Sequence, residues 1–316
     1  MERYGELAAF GTAICWTASA IFFENASKRI GALAVNFYKV FAAFFFLGIA
    51  GFVLRGMPFP FDAPLRAWTY LPISGLIGFV IADYFLFNAY VMIGSRITVI
   101  FQALTPIFTA TLGFLILGER MRAESAFGMG LVVVGILVVV LSRNRGAQTP
   151  KNASLSKAES DSAEPVARTA AFPVKGYVFA FFSSVFQAIG LIFSKIGLGD
   201  YDAVSGTQIR VMTAILGFGI QALLLRRARS VFVEARRDKA SMKNTAIGAI
   251  FGPFLGVAFS LFALQKTNAA TASTLMALTP VLIIPPSILF LRQKVRLQEI
   301  VGAAIAVSGA ALFFLL

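Results

Sequence analysis

The sequence predicts an all-α transmembrane protein, a ten-helix bundle built from two inverted five-helix repeats around a central cavity. Three observations lead there. The 316 residues are 58% hydrophobic and only 14% charged, with a mean hydropathy of +0.80; soluble domains carry about 25% charged residues. Ten apolar runs of about 17–24 residues follow one another, each near the ~20 residues that cross a bilayer core. The halves also repeat each other. Residues 97–138 slid by 174 give ten ungapped identities, among them Ala-Leu-Thr-Pro at 103–106 and 277–280, Gly128/Gly302 and Gly135/Gly309.

The first run, 5–24, holds Trp16 and the single cysteine, Cys15. Two acids open the chain and no small-residue cleavage site precedes Lys28, so this run reads as a retained span and not a signal peptide. Runs 33–54, 68–92, 97–118 and 125–141 complete the first repeat, assigned to residues 1–141. Residues 142–174 exchange aliphatics for Gln, Ser, Lys, Glu, Asp and Pro and read as a polar flexible linker. Runs 176–197, 203–225, 245–264, 271–291 and 297–316 form the second repeat, residues 175–316. An odd number of spans per repeat sets the halves in opposite orientations. Repeats of that kind place a binding site at their interface near the midplane.

Histidine is absent and cysteine occurs once, which excludes intrachain disulfides, zinc sites and Cys/His nucleophile pairs. No G-x-x-x-x-G-K-[ST] loop is present, so energy input is a gradient and no nucleotide or other cofactor is expected. The net charge of +13 lies mostly beside apolar runs, without an aromatic-basic surface that would read nucleic acid. Loops after odd-numbered spans hold 19 of the Lys and Arg residues, the opposite side six. By the positive-inside rule that count puts the linker in the cytoplasm and both termini outside.

Cations inside spans are the strongest functional signal. Lys39 and Arg210 occupy matching places at an offset of 171. A cation at membrane depth costs about 2.5–3.5 kcal/mol on insertion scales, so it normally faces a bundle interior. Either residue can meet a substrate carboxylate, Arg210 through its two-pronged fork; Lys39 can instead snorkel toward headgroups. Asp83, midway along the third run, suits proton coupling or recognition of an amine, or else a structural ion pair with Lys39 or Arg210. Glu24 and Lys195 correspond at the same offset and sit close to span ends, where interface placement competes with gating; Glu24 is also a second candidate, after Asp83, for proton coupling or amine recognition. Trp16, Tyr84, Asn88, Gln102 and Gln187 are candidate lining residues. Polar stripes through Thr98, Gln102, Thr105 and Thr109, and through Ser183, Gln187 and Ser194, are expected to wet one helix side. Pro106 and Pro280 each remove a backbone donor mid-span, as hinges or as static kinks.

The ten-span plan, Trp16 in the first span, Ala-Leu-Thr-Pro and the following Leu-Gly-Glu-Arg (117–120) together resemble the drug/metabolite transporter superfamily, and within it the EamA-type permeases. The resemblance implies an integral multi-pass protein of the bacterial inner membrane. It further implies secondary transport of small metabolites, often amino-acid export, and termini in the cytoplasm, against the loop charges here. The second repeat departs from the pattern at Leu291-Arg-Gln-Lys, which leaves any role for that acid to Glu119 alone. The expected partners are a small-molecule metabolite, protons as coupling ion and the lipid bilayer, for a monomer or homodimer. An uncoupled channel, a scaffold or a membrane-embedded enzyme is the alternative, the enzyme weakened by the missing nucleophile and metal ligands.

Overall fold

The computed structural model describes residues 2–102, 104–146, 174–282 and 297–315. Nearly all of the expected linker and the Leu291-Arg-Gln-Lys motif lie outside these residues. Every regular element among the described residues is helical. In chain order they are α1 (Glu2–Ile30), α2 (Ala32–Arg55), α3 (Leu65–Gly75), α4 (Ala82–Gln102), α5 (Thr105–Leu117), α6 (Ala123–Gly146), α7 (Val174–Leu198), α8 (Ala203–Leu224), α9 (Ala228–Arg237), α10 (Lys239–Ala249), α11 (Val257–Lys266), α12 (Ala269–Met276), α13 (Thr279–Leu282) and α14 (Leu297–Leu315). Among the described residues, five stretches are long and apolar enough to cross a membrane: Leu33–Arg55, Leu65–Leu86, Val174–Leu198, Ala203–Leu224 and Lys239–Lys266.

Helices end where the residues allow it. Gly56 and Gly118 take the left-handed conformation after α2 and α5, at φ 72° and 67°, which glycine adopts without a side-chain clash. Asp202 and Asp238 cap α8 and α10 by accepting from the backbone N–H of Ser205 and Ser241.

Two departures from the expected spans are informative. The boundary at 93–96 does not interrupt the helix; α4 runs on to Gln102, and the chain breaks about two turns later, before Thr105-Pro106. The second repeat breaks at the matching place, Ala277-Leu278, before Thr279-Pro280. A proline lacks the N–H that would continue the ladder, so the helix restarts with proline in its first turn. Pro106 is therefore a start signal for α5 and not a kink within a span. The side chain of Pro280 lies outside the described residues.

The second departure is a pair of π-helical stretches, Leu76–Ile81 between α3 and α4 and Ile250–Gly256 between α10 and α11. They begin 174 residues apart, the same offset that aligns Gly78 with Gly252. A π stretch widens the helix by one residue and recurs at functional sites. One close contact recurs in both repeats. A Cβ on Gly78's partner Gly190 would meet Gly78 Cα at 2.8 Å; a Cβ on Gly252 would meet Ser19 at 3.2 Å, and Ser19 is the counterpart of Gly190.

Glycines also bring repeat-related helices together. A Cβ on Gly135 would fall 2.6 Å from Gly302 O, and one on Gly309 would fall 2.7 Å from Gly128 O. Gly128 and Gly135 are the counterparts of Gly302 and Gly309, so α6 and α14 cross as an antiparallel pair. The helices α2 and α8 do the same. Phe37 approaches Gly219 at one end, and Arg55 donates to Tyr201 and Ser205 at the other. The largest apolar clusters bind these pairs together, one around Ile136, Leu264 and Leu275, the other around Leu47, Leu71 and Phe218.

Candidate functional site

Lys39, Asp83 and Arg210 are 8%, 8% and 5% exposed, so none of the three reaches the lipid face. Each cation stands seven residues into its helix, Lys39 after Ala32 and Arg210 after Ala203. Because α2 and α8 run antiparallel, the two lie at mirrored depths, roughly 10 Å apart along the axis at 1.5 Å per residue. Snorkelling of Lys39 is thereby excluded. Its Nζ sits 3.5 Å from Asp83 Oδ2 and 5.6 Å from the centre of the Phe23 ring. Of the two partners open to Asp83 in the sequence, Lys39 is the one it meets.

Arg210 has a different environment. Its guanidinium carbon lies 4.8 Å from the Phe79 ring centre, and its Nε is buried with no hydrogen-bond partner. Glycines make the room: a Cβ on Gly75 would fall 2.6 Å from Arg210 O, and one on Gly78 would fall 3.4 Å from Arg210 Nη2 and 3.8 Å from Gln187 Oε1. Gln187 and Arg210 thus converge on one spot at the π stretch. Among the described residues no carboxylate pairs with Arg210. The repeat register gives the reason. The counterpart of Asp83 is Val257, buried and apolar, so the second repeat has the cation without the matching acid.

The remaining candidates divide. Trp16, counterpart of Gln187, directs its indole Nε1 to within 3.5 Å of a Cβ built on Gly256, at the end of the second π stretch. Gln102 donates to Ser183 Oγ at 2.8 Å, and Ser183 donates to Ala82 O at 3.1 Å, the carbonyl next to Asp83. Tyr84 is half-exposed and turns away from Asp83, onto Phe85 and Phe179. Asn88 donates to Tyr84 O one turn back. These two belong to an outward aromatic face with Phe182 and Phe186. Glu24 falls in α1, with its side chain outside the described residues.

Two hydroxyls of the stripes bond within the helices and between them. Thr109 bonds Thr105 O, and Ser194 bonds both Gly190 O and Ser74 Oγ. Space follows suit: grooves of about 330 and 370 Å³ lie on the face of α2, lined by Phe44, Phe52 and Phe254 among others. Around Arg210 the helices approach closely through Gly75, Gly78 and Gly190. Among the described residues no cluster of acidic or cysteine ligands forms a metal site.

An unexpected cluster joins the repeats where α5, α7 and α11 end. Lys195 Nζ pairs with Glu119 Oε1 and donates to Thr267 O at 2.6 Å, while Glu119 Oε2 accepts from Ala269 N at 2.7 Å. Glu119 thereby caps α12, the first turn of the ninth predicted span. Beside it, Arg55 pairs with Asp62, and Gln265 donates to Gly199 O and Tyr201 O. Sequence spacing carried no signal for a pairing between Glu119 and Lys195, which lie in different repeats.

No curated protein matches the chain. One solved crystal structure superposes with a TM-score of 0.67 at 19% identity, over 98% of this chain and 96% of that one, a likeness of fold alone. The model of the EamA-like transporter family matches residues 3–141 and then residues 174–315. The chain belongs to the EamA-like transporter family.

Proposed function

We propose that the chain is a secondary active transporter of small metabolites bearing a carboxylate, amino acids among them, working by alternating access. Ten spans in two inverted repeats of five, joined by residues 142–174, would carry it in a bacterial inner membrane. The antiparallel pairing of α6 with α14, and of α2 with α8, supports the inversion. Inverted repeats supply two mirrored half-sites that open in turn.

The observation that carries the reading is the unmatched guanidinium. A buried cation without an acid is strongly unfavourable, several kcal/mol after relaxation, unless something anionic arrives. Arg210 offers a fork to a carboxylate, Phe79 a flat wall, and Gln187 a neutral amide beside them. Asp83 and Lys39 form the second element, in mirrored position. A carboxylate that exchanges its salt bridge for a proton changes the charge of the chamber by one, the minimal requirement of a proton-coupled carrier.

Access requires movement, because Arg210 is 5% exposed. The places able to move are the two breaks before Thr-Pro and the two π stretches, which border the site. The Glu119–Lys195 cluster holds one mouth shut. Opening that mouth breaks it and frees α12 to swing at Ala277-Leu278.

The test is transport by purified protein in proteoliposomes, with substrates drawn from a thermal-shift screen of carboxylates and amines. Arg210→Gln is expected to abolish uptake and binding of carboxylates, and Arg210→Lys to restore part of both. Equal loss for neutral amines would reduce Arg210 to a structural residue. Trans-stimulation by internal substrate identifies a carrier; substrate-independent current without it identifies a channel.

A further inference from the structure

We propose that α9 and its flanks form a docking site for anionic phospholipid headgroups. The stretch 225–243 carries seven basic residues against two acids, and it connects two membrane-crossing helices, Ala203–Leu224 and Lys239–Lys266. A connector of 14 residues between spans has nowhere to lie but one membrane surface.

The helix is amphipathic on two sides, and that is what selects lipid. Val231 and Ala235, one turn apart, are buried against the ends of α1 and α2, with Ala26, Ile30 and Val35. This anchors the helix to the bundle. The opposite face repeats at positions 229, 232, 233 and 236, which share one side of a helix. Phe232 and Val233 are 53% and 54% exposed there, the Phe232 ring meeting Phe37 and Tyr38 of α2 edge-on, and Arg229 and Arg236 flank them, also exposed. Leu223, Leu224 and Leu225 at the end of α8 continue the apolar strip. A purely aqueous surface would not present two large apolar side chains, and a surface packed on protein would not ring them with arginines. An interfacial helix does both, sinking its apolar residues to the acyl boundary and meeting phosphates with guanidinium groups.

Seven basic residues against two acids leave the stretch strongly positive. Asp238 is engaged as the α10 cap and pairs with Arg29 at 3.5 Å. Charge complementarity therefore points to a phosphodiester headgroup with net negative charge, such as phosphatidylglycerol. Basic residues near such a surface each strengthen attachment about fivefold at ordinary salt.

Phe232→Trp in the full-length chain, reconstituted with phospholipids brominated high on the acyl chain, tests this. Brominated phosphatidylglycerol is expected to quench the fluorescence of the introduced indole more than brominated phosphatidylcholine at equal mole fraction. Arg229→Gln with Arg236→Gln should erase that excess, and the two Lys replacements should keep most of it. Equal quenching by both lipids overturns the proposal, leaving an unselective interfacial helix. Absence of quenching by either also overturns it, and means that the face is covered by protein or water. Trp16 and Trp68 set the background, recorded with the parent protein.

Discussion

Lys39 and Arg210 are the same position in two copies of one helix, 171 residues apart, yet among the described residues only Lys39 pairs with an acid. Its ammonium lies 3.5 Å from Asp83, whereas the Nε of Arg210 is buried without a partner and Val257 stands where the second acid would be. A duplicated, inverted bundle begins with two equal half-sites. Here one half-site is neutral and the other cationic, the asymmetry on which the proposed roles in proton coupling and carboxylate binding rest.

Supplying the matching acid is the first prediction. By the repeat register, Val257→Asp puts a carboxylate at the position matching Asp83, where it is expected to pair with Arg210 and supply internally what substrate would bring. Affinity for carboxylate substrates is expected to fall at least about tenfold, equivalent to 1.4 kcal/mol, while the protein keeps its fold. Titration by thermal shift measures it, with Val257→Asn as the uncharged control.

Removing the other acid should act oppositely on stability. Asp83→Asn leaves Lys39 buried and uncompensated, at a cost of about 3–5 kcal/mol, read as a lower midpoint of thermal unfolding. Pairing it with Lys39→Met should recover most of that stability. If Asp83 couples protons, the recovered double variant still lacks pH-dependent uptake.

The mouth cluster gives a prediction about rate. Glu119→Gln weakens the pair to Lys195 while sparing the size of the side chain, and it should destabilise the closed state by about 1.5–3 kcal/mol, the range for hydrogen bonds to charged groups. Exchange of labelled substrate across vesicles is expected to speed up where opening of this mouth limits turnover. A lower exchange rate with unchanged unfolding would show that the cluster does not hold the closed form.

The α9–α10 junction has its own pH signature. The backbone N–H of Ser241, then its hydroxyl, hold the Asp238 carboxyl below its ordinary value of 3.8, aided by Arg29. A group depressed in the folded state contributes stability that is full above the unfolded pKa and is lost as pH falls through the folded one. Hydrogen exchange at the start of α10 should therefore rise as pH drops below about 4, once corrected for intrinsic rates. Asp238→Asn should show no such step.

Much of this was legible in the residues because membranes penalise errors of polarity. Lys39, Asp83 and Arg210 had to face inward, and they do. The repeat was visible because glycine cannot be replaced where helices touch, as at Gly135 against Gly302. Tyr84 and Asn88 were misplaced for the converse reason: in an apolar solvent an aromatic face serves lipid as well as cargo, and an amide can bond its own helix. The end of α4 was misjudged because Gly94-Ser95-Arg96 reads as a loop by composition, whereas backbone hydrogen bonding yields only at proline. Nothing in a single sequence signals a π stretch, since it depends on which turn gains the extra residue.

Water access beside Arg210 is the most direct test. The chain has one cysteine, so Cys15→Ala with Gln187→Cys carries a single thiol next to the guanidinium. In sealed proteoliposomes a membrane-impermeant cationic thiol reagent is expected to modify that thiol, with a carboxylate substrate slowing the reaction. A thiol inert to reagent supplied on either side, with and without substrate, would mean a permanently dry interior and would contradict transport past Arg210.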